Sequence, residues 1–247
     1  MNSKPIVVLL FMLGLCSLLS PAWGQARQTE DKAMQEQQKH LSERQQAIVP
    51  IAAFAAAGDK AALKVALNQG LDAGLSVNDG KEVLVQLYAY AGFPRSLNAL
   101  GTLMAVVEER QQQGIKDDQG KLPSAPIPQG DELLKQGTAN QTKLTGSPVK
   151  GPLFDFAPAA DEYLKTHLFG DIFARDNLSW QDREIATIAM LSALQGVEPQ
   201  LMAHIRIGMN AGLSASQLQQ LAQVLTEKVS SDAAEHMRKA LEQQLNS

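Results

Sequence analysis

A chain of 247 residues is long enough to bury a real core, as one large domain or two small ones. Apolar residues make up 45% of it but aromatics only 5%, and Ala, Leu and Gln are abundant, a mixture that favours helices because β-branched and aromatic residues are scarce. The net charge of -4, with no basic cluster, excludes a surface built to attract a phosphate backbone, so no nucleic-acid partner is expected.

The first predicted element is a targeting segment over residues 1–24. Lys4 supplies a positive start, and Ile6 to Leu19 form an apolar run of signal-peptide length, short for a bilayer span. Ala22-Trp23-Gly24 puts small residues where a signal peptidase reads, and Gly24-Gln25-Ala26 is a competing site. Cleavage near Gly24 or Ala26 predicts a periplasmic or secreted protein with no stable membrane insertion after processing; an uncleaved anchor is the alternative reading. Cys16 invites a lipoprotein reading, but Leu15 precedes it where a lipobox wants a small residue. Cys16 is the chain's one cysteine, so processing would leave a mature protein with neither disulfides, thiol redox chemistry nor cysteine-ligated metal.

Residues 25–40 read as a polar helical lead-in. From Leu41 to Arg110 the apolar spacing is helical, with breaks at Gly58, Gly74 and Gly92-Phe93-Pro94; this is the first predicted unit, 41–110. Residues 111–152 turn rich in Gln, Gly, Pro, Lys and Asp, which predicts a long, largely irregular connector. Helical patterning then resumes through a second unit, 153–247.

The two units repeat one another. Ala66-Leu67-Asn68-Gln69-Gly70-Leu71-Asp72-Ala73-Gly74-Leu75-Ser76 lies at constant offset from His204-Ile205-Arg206-Ile207-Gly208-Met209-Asn210-Ala211-Gly212-Leu213-Ser214. In each, a helix ends at a glycine able to take the left-handed conformation, and a serine caps the next helix, with Asp79 or Gln217 at the third position. Upstream, Leu41-Ser42 through Gly58 matches Leu178-Ser179 through Gly196 if one residue of slack is allowed. The expectation is an all-α fold of two tandem copies that could pack face to face.

Candidate chemistry concentrates in the second copy. Ser179 caps a helix from about Trp180 to Leu194, on which Glu184 borders an apolar stripe of Ile185, Ile188, Ala189 and Leu191. The next helix starts near Pro199, and Leu201, His204, Ile205 and Gly208 share its core-facing side. An acid and an imidazole at the edges of adjacent antiparallel helices can meet and exchange protons near neutral pH. The same pair also reads as a structural contact that satisfies a buried imidazole, and sequence leaves both open. Arg206 and Arg183 are candidate carboxylate anchors, with solvated surface as the competing reading, more so for Arg183. His40, His167 and His236 show no matching partner, and neither H-x-x-x-H nor H-E-x-x-H spacing occurs, so no metal is expected. In the first copy His204 corresponds to Ala66, and Glu184 to Ala47 or Gln46 depending on the gap. That copy instead carries Glu82, Tyr88 and Tyr90, which read as pocket-lining groups or as ordinary core.

Tyr90-Ala91-Gly92-Phe93-Pro94 followed by Ser96-Leu97-Asn98-Ala99-Leu100 resembles the signature of the carboxymuconolactone decarboxylase family. So do Leu178-Ser179 to Arg183-Glu184, Gln200-Leu201 with His204, and Asn210-Ala211-Gly212, while Phe169-Gly170-Asp171 looks like the tandem-domain branch. The resemblance implies an alkylhydroperoxidase-D-like helical bundle that forms a homo-oligomer. The family's peroxidase branch uses a Cys-x-x-Cys pair before the histidine; Val197 and Gln200 stand there, so that route is closed to this chain. The decarboxylase branch implies a cofactor-independent, lyase-type enzyme acting on a small carboxylated or lactone substrate. In it, Glu184 and His204 would be the acid–base pair, and Arg206, Tyr88, Tyr90 and Glu82 would hold the substrate. A non-catalytic oligomeric binding or assembly protein is the alternative. Export sits uneasily with the cytoplasmic setting of the family's known reaction, so the family name transfers better than the reaction.

Overall fold

The computed structural model describes residues 40–124 and 126–246, and the regular elements among them are all helical. The targeting segment and most of the lead-in lie outside the described residues. The first unit comprises α1 (Glu43–Ala57), α2 (Lys60–Asp72), α3 (Val77–Gln86) and α4 (Tyr88–Gln112). Ser42 and Gln45 close a capping box on α1, and Ser76 and Asp79 close another on α3, satisfying backbone N–H groups that a helix start leaves free. Gly58 (φ +78°) stops α1 in the left-handed conformation. Within α4, Gly92 (φ +81°, ψ 160°) kinks the helix at the predicted break.

The second unit repeats the plan as α8 (Trp180–Ser192), α9 (Glu198–Asn210), α10 (Ala215–Lys228) and α11 (Ser231–Leu245), with Ser179 and Ser214 as caps. One glycine in each copy settles the register that sequence left open. A methyl added at Gly70 would meet Ile51 Cδ1 at 2.7 Å, Leu75 Cδ1 at 3.0 Å and Ala47 Cβ at 3.8 Å. At Gly208 it would meet Leu213 Cδ1 at 3.1 Å, Ile188 Cδ1 at 3.3 Å and Glu184 Cβ at 3.6 Å. The two neighbourhoods correspond residue for residue, so Glu184 matches Ala47 and not Gln46.

Helices α1 and α8 pack side by side, and each also touches the third helix of the other unit: α1 meets α10 and α8 meets α3. The apolar faces merge into one core, in which Ile48, Ile51 and Leu84 of the first unit join Ile185, Ile188 and Leu221 of the second.

The connector departs from the prediction. Residues 131–145 form a helix, α5 (Asp131–Thr145), followed by the short α6 (Pro152–Phe156) and α7 (Pro158–Tyr163) and by a π-helix over Leu164–Ile172. Helix α5 packs on the π-helix through glycine: a Cβ at Gly137 would overlap the Lys165 carbonyl oxygen. Residues 115–124 are irregular but tied down. Arg110 grips Asp117 and Asp72, and the carbonyls of Asp118 and Gln119 accept from Val77 N (2.9 Å) and Asn78 N (3.1 Å) at the start of α3. Further along, Ser124 N donates to Asp176 Oδ1 at 2.8 Å. Among the described residues no helix is long and apolar enough to cross a membrane.

Candidate functional site

Pro199 stands in the first turn of α9, and the core face of that helix, packed on α8, brings His204 to Glu184. His204 Nδ1 stands 2.8 Å from Glu184 Oε2, with both side chains buried. With Glu184 ionised, that contact is an Nδ1–H donation, which fixes the tautomer and leaves the Nε2 lone pair as the basic position. Tyr90, from the other unit, stands edge-on to the imidazole, with centroids 5.3 Å apart and planes at 81°. Burial and then the Glu184 charge push its phenol well above the ordinary tyrosine range, so the hydroxyl stays protonated near neutral pH.

A second layer of buried polar groups lies beside the pair. Glu82, Gln86 and Tyr90 follow one another at four-residue intervals through α3 into α4 and so share a face. They meet Arg183 and Thr187, also four apart on α8. Arg183 is fully buried, contrary to its surface reading; its guanidinium donates to Gln86 Oε1 (3.2 Å), Glu82 Oε2 (3.0 Å) and the Arg175 carbonyl (2.8 Å). Burial draws its pKa below the ordinary arginine value, and Glu82 opposes the shift. Gln86 Nε2 donates in turn to the Arg183 carbonyl (2.9 Å) and to Thr187 Oγ1 (2.6 Å). Around the dyad three buried polar atoms have no hydrogen-bond partner among the described residues: Glu184 Oε1, Tyr90 Oη and Arg183 Nε. Buried groups in this state are uncommon and costly.

The expected site is therefore only partly assembled. Glu184, His204 and Tyr90 come together. Glu82 does not join them as a pocket group: Arg175 holds both its carboxylate oxygens through three contacts at 2.6 to 3.1 Å, and Arg183 adds a fourth. Burial would raise its pKa, but the two guanidiniums outweigh that and hold it below the usual carboxylate range. Tyr88 faces another cluster, stacked on Phe93 (4.4 Å) and edge-on to His167 (5.5 Å). Burial and then Asp171 raise its pKa. Arg206 is exposed on α9. Two histidines without an expected partner have one: His167 Nδ1 lies 2.6 Å from Asp171 Oδ2, and His236 Nδ1 lies 3.2 Å from the Ser192 carbonyl. Gln86 and Thr187 escaped the sequence reading. Their signal was polar residues at helical spacing on an otherwise apolar face. Among the described residues no group of three or more His, Cys, Asp or Glu is placed to hold a metal.

Comparison with known proteins agrees with this plan. The sequence pattern of the carboxymuconolactone decarboxylase family matches twice, at residues 21–104 and 158–243. No curated protein matches the chain.

Proposed function

The chain belongs to the carboxymuconolactone decarboxylase family, in two tandem copies, and from that premise we propose that it is a cofactor-independent, lyase-type enzyme using Glu184 and His204. The substrate is a small carboxylated or lactone-type molecule. The observation that carries the reading is the buried dyad with unused hydrogen-bonding capacity on three sides: an acceptor on Glu184, donors on Tyr90 and Arg183. Such a substrate loses its carboxyl group as CO2, the electron pair of the broken C–C bond passing into the conjugated carbonyl. His204 takes a proton from solvent water at Nε2 and gives it to carbon, and Glu184, bound at Nδ1, stabilises the imidazolium while it exists. Tyr90 donates to the carbonyl oxygen where charge accumulates. Two conservative variants test this on a panel of unsaturated lactone acids, with CO2 release as the readout. Glu184→Gln and His204→Gln fill the same space, so loss of turnover with unchanged far-UV circular dichroism supports the reading. Retained turnover sinks it.

A non-catalytic assembly protein is the second reading. Its support is an exposed apolar row on α4, where Phe93, Leu97 and Met104 keep 58%, 63% and 61% of their surface. Oligomerisation through that row predicts that Leu97→Glu lowers the mass found by light scattering. Export belongs to the same proposal. It rests on the apolar run at residues 6–19 and on Ala22-Trp23-Gly24, and N-terminal sequencing of the protein recovered from a periplasmic fraction tests it.

A further inference from the structure

The place that holds the dyad in the second copy is an open pocket in the first. Ala47 stands five residues after the cap Ser42, as Glu184 stands five after Ser179. Lys228 stands fourteen after Ser214, as Tyr90 stands fourteen after Ser76, and Ala66 matches His204. The fold gathers these counterparts as it gathers the dyad and Tyr90: Ala47, Ala66 and Lys228 line one cavity of about 330 Å3, with Pro50 in the place of Thr187. The second copy fills the equivalent space with a carboxylate, an imidazole and a phenol ring. Here two methyl groups and an exposed lysine leave room. The volume lies at the small end of the range for small-molecule sites.

The rim of this pocket is polar. Glu43, in the first turn of α1, and Lys228, in the last turn of α10, both line it and are exposed. Among the described residues neither has an ion-pair partner, so the two charges do not neutralise one another. Gln69 on α2 and Gln46 on α1 add two amides. Gln46 Nε2 donates to the Leu41 carbonyl at 2.9 Å, which leaves its Oε1 to accept.

We propose that this pocket is a second ligand site, and that it binds a small α-amino acid in its zwitterionic form. One cation and one carboxylate border a single small cavity without meeting. A ligand that carries one charge of each sign gains a charge-assisted hydrogen bond at both, whereas a singly charged one gains a single bond and sits near a like charge. The floor of Ala47, Pro50 and Ala66 takes the carbon chain, and the amides take a polar side chain. The site uses neither Glu184 nor His204 and stands whether or not that pair is catalytic.

Titration calorimetry of the purified chain with L-glutamine tests the proposal, beside two relatives that each lack one of its charges. Glutaramic acid has no ammonium, and 4-aminobutanamide has no carboxylate. One L-glutamine per chain is expected, with both relatives at least about ten-fold weaker. Lys228→Gln should erase only the advantage over 4-aminobutanamide, and Glu43→Gln only the advantage over glutaramic acid. Gln69→Trp, at an exposed position, fills the pocket and removes binding, while His204→Gln leaves it intact. The idea is overturned by no L-glutamine uptake at about 1 mM, by equal affinity for the singly charged relatives, or by unchanged binding in Gln69→Trp. Loss of binding in His204→Gln overturns it as well, since that result gives the ligand to the dyad.

Discussion

The two helical units share caps, stops and register, and differ in what they bury. Around Gly70 the first unit closes with methyl groups, Ala47 and Ile51; around Gly208 the second places Glu184 in the position of Ala47 and sets His204 where Ala66 stands. Likewise Glu82 carries two arginines, whereas its counterpart Gln220 accepts the Leu41 backbone N–H, at 2.7 Å. One scaffold thus tolerates an apolar and a polar filling at equivalent points. What differs is how much each position costs to disturb.

The sharpest break in the comparison is functional. Glu184→Gln or His204→Gln is expected to lower kcat/KM on a turned-over substrate by at least about a hundred-fold, while Ala66→Ser in the first unit changes it by less than about two-fold. Stability comes next. Glu82→Ala strands a sealed guanidinium and should lower the unfolding free energy by about 3–5 kcal/mol in urea titrations. The matching Gln220→Ala removes one neutral hydrogen bond and should cost about 1 kcal/mol. A smaller contrast lies in the glycines. Gly70→Ala drives a methyl to 2.7 Å from Ile51 and should destabilise by about 1–2 kcal/mol, net of the gain in helix propensity. Gly208→Ala, with its nearest contact at 3.1 Å, should fall within about 0.5 kcal/mol of the parent.

The last contrast is a pH slope. The folded pKa of Glu82 lies below its ordinary 4.5, so its contribution is present above that value and fades as pH falls through the folded pKa. Glu82→Gln should flatten the acid side of the stability curve, by no more than about 1.4 kcal/mol per pH unit. Parallel curves for parent and variant would remove Glu82 from acid sensitivity.

Local chemistry made much of the fold legible. Ser76, Ser179 and Ser214 cap where sequence put caps, because capping involves residues three apart, and Ser42 does the same at the position matching Ser179. The meeting of Glu184 and His204 followed from helical periodicity in two adjacent helices. Arg183 was misread because its partners, Glu82 and Gln86, lie about a hundred residues away and leave no local trace. Helix α5 was missed for a different reason. It buries Gly137, Gln141 and Leu144, so it packs by close backbone approach and shows little apolar stripe for periodicity to find. Tyr88 and Tyr90 looked equivalent and both pack on the cluster around Phe169 and Phe173, yet two residues apart on a helix they meet different rings, Phe93 and His167 for Tyr88 and His204 for Tyr90.

The connector has a consequence for descent as well as for shape. Two identical units meeting through α1 and α8 as separate chains would form a self-complementary pair, in which any substitution appears on both sides at once. In such a pair a glutamate replacing an alanine would be buried twice. Joined by residues 111–152, the halves accumulate changes independently while remaining at high effective concentration for one another. The tether therefore lets the two copies bury different charges, Glu82 in the first and Arg183, Glu184 and His204 in the second.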